Sequence, residues 1–331
     1  MKRFLLLLVG IVLGLIVVIV LAVRLSPWPS VAVISYMFSK GDQSSETALE
    51  KHVPPGIVTK RGIPYGEGKD EVFDINFPSG TDRPLPTIVW IHGGGWIGGS
   101  KEGIANYLKV LSGHGYSTVG VEYSTGFGST YPKPVQQVNR ALGYLQQHAV
   151  ELNVDPDAMV LAGDSAGAQI AAQIAIITTD PGYAERIGIR PALPPARLPA
   201  VLLLSGAYDI TSVDYKGDYA WFLKTVLWAY SGTKDFLDDK RFALASVTRY
   251  VTGTFPRAFI SSGNGDPLAP QAVLLAQRLQ GLGVQVDSLF FQADYSPPLP
   301  HEYQFNLDIP AGQEALTRML AFIGSATART K

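Results

Sequence analysis

The chain has 331 residues, 47% of them hydrophobic and 17% charged, which supplies one large core with appendages and excludes disorder as the dominant state. Its 27 basic and 28 acidic residues leave a formal charge of −1, so there is no polybasic footprint and nucleic acid is ruled against as a partner. The absence of cysteine removes disulfides, thiol catalysis and thiolate-held metals, and any nucleophile must be Ser, Thr, Lys or a carboxylate.

The first element in the chain is an apolar run, Phe4 to Val23, bounded by Lys2 and Arg3 on one side and Arg24 on the other. At about 1.5 Å per residue, its 20 residues make a helix about 30 Å long, the hydrocarbon thickness of a bilayer. The run exceeds the apolar stretch of a cleaved signal, and Leu21-Ala22-Val23-Arg24 is a poor cleavage site. Residues 1–24 therefore read as one N-terminal transmembrane helix, a membrane anchor in preference to a signal sequence. Lys2 and Arg3 favour a cytoplasmic N-terminus, which places the rest of the chain extracytoplasmic, or secreted if the N-terminus is cleaved. Residues 25–59, with Trp28 and Tyr36 suited to an interface, read as a juxtamembrane stem; packing against the globular domain is the competing reading.

Residues 60–331 read as the main globular domain. Short β-rich runs alternate there with amphipathic ones, the pattern of a mostly parallel sheet with helices on both faces. Strands are predicted at Glu71–Phe77, Thr87–Ile91, Tyr116–Glu122, Met159–Ala162, Ala200–Leu204, Ala258–Ser261 and Gln285–Phe291. Apolar residues at helical spacing mark Val135, Val138, Leu142 and Leu145, then Ala272, Leu275, Ala276 and Leu279, then Leu316, Met319, Leu320 and Ile323. The stretch 211–250 interrupts the alternation. It is helix-like and aromatic, and reads as a small cap in which Trp221 and Trp228 bind substrate, or alternatively as an aromatic helix packed on the core.

Gly163-Asp164-Ser165-Ala166-Gly167 follows a predicted strand and opens an apolar helix. That context fits a nucleophile elbow, in which flanking glycines let a strained turn pack while the serine hydroxyl is pushed out. His92-Gly93-Gly94-Gly95-Trp96 directly follows another strand, and its Gly-rich backbone suits N–H donation to a developing oxyanion. The donors assigned are Gly93, Gly94 and Ala166. His92 itself is read as ordering the loop. A serine needs a histidine to take its proton and a carboxylate to orient that histidine, in the chain order Ser, acid, His. Four of the five histidines precede Ser165, which leaves His301, with an apparent pKa expected at about 6–7. Asp266, in a Gly-rich loop after the strand Ala258–Ser261, is favoured as the acid over Asp209, one strand earlier. No paired histidines or carboxylate clusters around a histidine indicate a metal, and no cofactor is implied.

Ile91-His92-Gly93-Gly94-Gly95-Trp96 with Gly99-Ser100-Lys101, Val121-Glu122-Tyr123, Gly163-Asp164-Ser165-Ala166-Gly167, Gly265-Asp266-Pro267-Leu268 and His301 together resemble the α/β-hydrolase carboxylesterases. The nearest groups are the hormone-sensitive-lipase-like esterases and the feruloyl-esterase-like group with an HGGGW loop. The resemblance covers roughly residues 56–326. It implies an α/β-hydrolase fold with an eight-stranded sheet and the triad Ser165, Asp266 and His301 on its C-terminal edge. It also implies hydrolysis of a small-molecule or lipid carboxylic ester through an acyl-enzyme. Ala168 and Tyr123-Ser124-Thr125 depart from the hormone-sensitive-lipase pattern and bear on substrate rather than chemistry. The alternatives are an acyltransferase acting on an envelope or lipid acceptor, and a catalytically inactive binding module.

Overall fold

Eight extended runs pair into one sheet in the computed structural model, which describes residues 2–328. They are β1 (Ile57–Pro64), β2 (Val72–Pro78), β3 (Leu85–Ile91), β4 (Ser117–Val121), β5 (Val154–Asp164), β6 (Ala200–Leu204), β7 (Arg257–Ser262) and β8 (Val286–Phe290). Their order is β1-β2-β4-β3-β5-β6-β7-β8. β2 pairs antiparallel with both β1 and β4, and every other neighbour is parallel. β4 and β6 are buried at every residue, as strands covered on both faces must be, and their unbroken apolar or small-residue character is what made them readable. β1 was not predicted. It is an edge strand, mostly exposed, and its Lys60, Arg61 and Pro64 protect an edge without giving an apolar period.

Strand alternation sends Val89 and Ile91 to one face and Ile88 and Trp90 to the other, so two cores form. The first is closed by α4 (Lys133–Gln147), α5 (Ser165–Thr179) and α8 (Ala269–Gly281). The second lies under α3 (Ala105–Ser112) and α9 (Pro310–Thr327). A short helix, α6 (Pro181–Ile187), follows α5 and is capped by the Asp180 side chain.

The chain passes from β3 to β4 on one side and then to β5 on the other, so the strand order reverses between β3 and β5. A crevice opens at the carboxyl ends of strands at such a switch point. Ile91 is in register with Gly163, which sets the HGGGW loop beside the turn at Ser165.

Three further helices complete the chain. α1 (Lys2–Leu25) has no buried residue and is long and apolar enough to cross a bilayer. Residues expected in the stem form α2 (Trp28–Leu49), with Pro29 in its first turn, packed on the domain through Val31, Ile34 and Leu49. Within 211–250 the chain forms α7 (Ala220–Ser231) and two short 3-10 turns, Phe242–Ala245 and Val247–Arg249.

Candidate active site

β5 ends at Asp164 and α5 begins at Ser165, whose φ of +50° lies in the left-handed region. A non-glycine residue is held there at a cost of about 1–3 kcal/mol, which the surrounding packing must impose. The packing does so. A Cβ on Gly167 would stand 2.0 Å from the Ile91 carbonyl oxygen, and one on Gly163 would stand 2.5 Å from the Gly167 carbonyl carbon. Glycine at both positions therefore lets strand and helix close on a turn too tight for any side chain except one pointing outward.

That outward side chain meets a histidine. Ser165 Oγ lies 3.0 Å from His301 Nε2, and His301 Nδ1 lies 3.0 Å from Asp266 Oδ1. Asp266 is fixed in turn: its Oδ1 accepts the Leu268 N–H at 2.8 Å and its Oδ2 accepts the Ser262 hydroxyl at 2.7 Å. The loops bearing Asp266 and His301 are tied together, with the Gly265 N–H donating to the Leu299 carbonyl and the Leu299 N–H to Asn264 Oδ1. Burial would raise Asp266, but the hydrogen bonds from His301, Leu268 and Ser262 hold its carboxyl below the usual range. A carboxylate that stays ionised keeps the imidazole proton on Nδ1 and leaves Nε2 free to accept from Ser165, the arrangement that activates a serine.

Asp209, the rival acid, is engaged elsewhere. Its Oδ1 accepts from the Thr211 N–H and hydroxyl at 2.9 and 2.7 Å, and its Oδ2 faces Arg249 at 3.4 Å.

The glycine loop closes on itself, the Ile97 and Gly98 N–H groups donating to the Gly94 carbonyl at 3.1 and 3.0 Å. Gly93 backs directly onto the nucleophile: a Cβ there would lie 3.2 Å from Ser165 Cβ and 2.3 Å from Asp164 Oδ2. The Gly93 N–H is drawn to that Asp164 carboxyl. Ala166 is in the first turn of α5, where backbone N–H groups have no intrahelical acceptor and the helix dipole is positive. His92 does not reach Ser165. Its ring stacks on Tyr123 with centroids 4.2 Å apart, Nε2 faces Glu122 at 3.3 Å and Nδ1 faces the Gly93 carbonyl at 2.8 Å. Burial pushes this imidazole down, but Glu122 outweighs that and holds it above its ordinary value. The histidine thus braces the loop, as its sequence position suggested.

Sequence reasoning missed two acids here. Asp164 is buried, its carboxyl pushed well above the usual range by that burial and by the Glu302 charge, and it shares a hydrogen bond with Glu302 while accepting another from Trp90 Nε1 at 2.6 Å. Glu302, in left-handed backbone at φ +59°, presents Oε1 3.6 Å from His301 Nε2. Burial would lower His301, yet the Glu302 charge and the Asp266 hydrogen bond prevail and push it up to about 9. The expectation of 6–7 took this histidine as only modestly perturbed. Nothing in a Glu beside a His signals such proximity; the turn at Glu302, with its N–H donating to Ser205 Oγ, creates it.

Ser165 and His301 open into a cavity of about 940 Å³. α7 contributes Phe222, Leu223 and Val226 to its wall, and α2 contributes Met37, Phe38 and Asp42. Trp221 and Trp228 are not among the lining residues. They lie one heptad apart on a different stripe of α7, Trp221 exposed and Trp228 under the Lys234 ammonium at 5.3 Å. The α2 wall was also missed, although Val31, Ile34 and Phe38 repeat at i, i+3 and i+7 and carried a helical signal. Among the described residues no cluster of His, Asp and Glu has the arrangement of a metal site.

A family model described as BD-FAE matches residues 73–279. An esterase of Gibberella moniliformis is 30% identical over 251 residues, 71% of this chain and 74% of the relative. Carboxylesterase NlhH of Mycobacterium tuberculosis is 26% identical over 285 residues, 83% of this chain and 84% of the relative. Among solved structures, esterase B from Lactobacillus rhamnosis superposes with a TM-score of 0.79 at 20% identity, over 91% of this chain and 95% of that one. A bacterial heroin esterase gives a TM-score of 0.72 at 22% identity, over 94% and 97% of the two chains. At such identities the structural likeness speaks for the fold.

Proposed function

The chain belongs to the BD-FAE family and is a carboxylic ester hydrolase of the α/β-hydrolase fold, and from this we propose that Ser165 is its nucleophile, His301 its general base and Asp266 the acid that orients His301. The observation that carries the reading is the unbroken chain of two 3.0 Å contacts from Ser165 through His301 to Asp266 at the mouth of a cavity. Ser165 attacks the ester carbonyl while His301 takes its proton. The N–H groups of Gly94 and Ala166 stabilise the oxyanion, with Gly93 at its edge because Asp164 competes for its N–H. His301 then protonates the departing alcohol, and water admitted to the same base hydrolyses the acyl-enzyme. The apolar wall from α2 and α7 suits an acyl chain.

Residues 1–24 attach the protein to the membrane in this reading, with residues 60–331 as an extracytoplasmic catalytic domain and 211–250 as part of its cap. The length and zero burial of α1 support the attachment, and Lys2 and Arg3 support the orientation. Hydrolysis of p-nitrophenyl esters of rising chain length, with and without an added alcohol, tests the activity. Ester cleavage by the wild type that is lost in Ser165→Ala is the expected result, and full activity in that variant refutes the mechanism. Protease accessibility in spheroplasts tests the orientation.

A further inference from the structure

We propose that the face of the domain around the cavity mouth rests on the bilayer surface, so that Ser165 draws an ester dissolved in the membrane rather than one from bulk water. The inference builds on the reading of α1 as a membrane anchor.

The exit of α1 is held against the domain. Lys234, just past the end of α7, reaches the Arg24 carbonyl at 3.4 Å, and Trp28, at the start of α2, meets Phe127 edge to face with centroids 5.1 Å apart. From there α2 runs beside α7 in the opposite direction, until Phe38 packs on Phe222 at 6.0 Å. The ten helical steps from Trp28 to Phe38 span about 15 Å, so the cavity opens within that distance of where the anchor enters the domain.

The outer side of this path is apolar and uncovered. Val33, Tyr36 and Met37 on α2, Phe127, Tyr219 and Trp221 are each more than half exposed, Phe127 at 85%. Two of them, Met37 and Tyr219, also line the cavity, which makes the patch and the mouth continuous. Lys40 lies over the Tyr36 ring at 5.8 Å and Lys234 over Trp228 at 5.3 Å. Exposed aromatics with adjoining lysines, whose stems lie along apolar surface while their heads reach out, are the side chains that settle at the headgroup level of a bilayer. An uncovered patch of this kind on a monomer marks an interaction surface. Its continuity with the uncovered α1 identifies the occupant as lipid. The acyl chain of a membrane-dissolved ester then passes Met37 and Tyr219 into the apolar wall without crossing water.

Because the chain contains no cysteine, a single introduced thiol takes a fluorescent label uniquely. Full-length Tyr36→Cys, Phe127→Cys and Val150→Cys are labelled with an environment-sensitive dye and reconstituted into phosphatidylcholine–phosphatidylglycerol vesicles with and without brominated lipid. Val150 is 79% exposed and precedes β5, at the opposite edge of the sheet from Ser165. Labels at Tyr36 and Phe127 should lose more than half their emission to bromine, and the label at Val150 should not. In parallel, Tyr36→Asp should slow hydrolysis of a vesicle-dissolved long-chain ester at least fivefold while leaving a soluble butyrate ester within twofold. Failure of the wild type to float with the vesicles would refute the anchor and this proposal with it. Flotation with equal quenching at all three positions would leave the anchor standing and overturn the docking face alone. Self-quenching between labelled copies at Tyr36 without lipid quenching would assign the patch to a second copy of the chain and equally overturn the proposal.

Discussion

The carboxyl edge of the sheet and the layer that covers it are built in different ways. At the edge, Asp266 and His301 stand on loops cross-tied by backbone and side-chain hydrogen bonds, and the turn at Ser165, at the start of α5, is dictated by two glycines that admit no Cβ. In the covering layer, α2 and α7 lie far apart in the sequence and meet through side chains such as Phe38 and Phe222. Backbone geometry leaves short, ordered motifs in a sequence, whereas side-chain packing between distant segments leaves only periodicity. If chemistry resides in the first region and substrate choice in the second, as proposed, substitutions should separate the two.

The largest separation comes from the reacting groups. Ser165→Ala or His301→Ala should lower kcat by about 10⁴–10⁶-fold, equivalent to about 5–8 kcal/mol of transition-state stabilisation, and the double variant should be little worse than either. Steady-state kinetics on a short ester measure this, and thermal unfolding should show both variants folded. Next comes the acid. Asp266→Asn should cost about 10²–10⁴-fold in kcat, because the wrong tautomer of His301 is then held, while Asp209→Asn stays within about twofold since Asn still caps the turn. Equal effects would erase the distinction drawn between the two aspartates.

The covering layer should respond in specificity. Phe222→Ala should change the ratio of long-chain to short-chain kcat/KM by about tenfold, the scale of lost apolar contact in a pocket, whereas Trp221→Ala should leave that ratio within about twofold on soluble esters. A ranking changed by Trp221 and not by Phe222 would relocate the acyl site.

The smallest effect concerns Glu302. His301 must be neutral to accept the serine proton, so kcat/KM should rise with pH through the imidazole pKa, which is held up at about 9. Removing the neighbouring charge in Glu302→Gln should move that rise to lower pH. With the His301 and Glu302 side chains 33% and 29% exposed, screening limits the change to about one pH unit, measured from the acid limb of the profile. A rise that stays in place, or moves upward, would show that Glu302 does not act on His301.

The same division explains what could be read from the amino-acid order. β4 and β6 announced themselves because burial on both faces left no charged residue in either, and His301 because every other histidine precedes Ser165. β1 stayed hidden because an edge strand need not be apolar. Residues 25–59 read as a stem because Trp28 and Tyr36 suit an interface, whereas the packing of α2 on the domain through Val31, Ile34 and Leu49 depends on partners distant in sequence. Trp221 and Trp228 attracted attention by size, yet which stripe of α7 faces the cavity is decided by where α2 packs. Glu302 depends on a left-handed turn that its own residue type does not favour.

The account stands on Ser165 forming the acyl-enzyme, and an active-site phosphonate followed by peptide mass spectrometry tests it most directly. Wild-type protein should carry one adduct, on the peptide containing Gly163-Asp164-Ser165-Ala166-Gly167, formed in step with loss of esterase activity and much more slowly in His301→Ala. An adduct on another residue, or full inactivation with Ser165 unmodified, would contradict it.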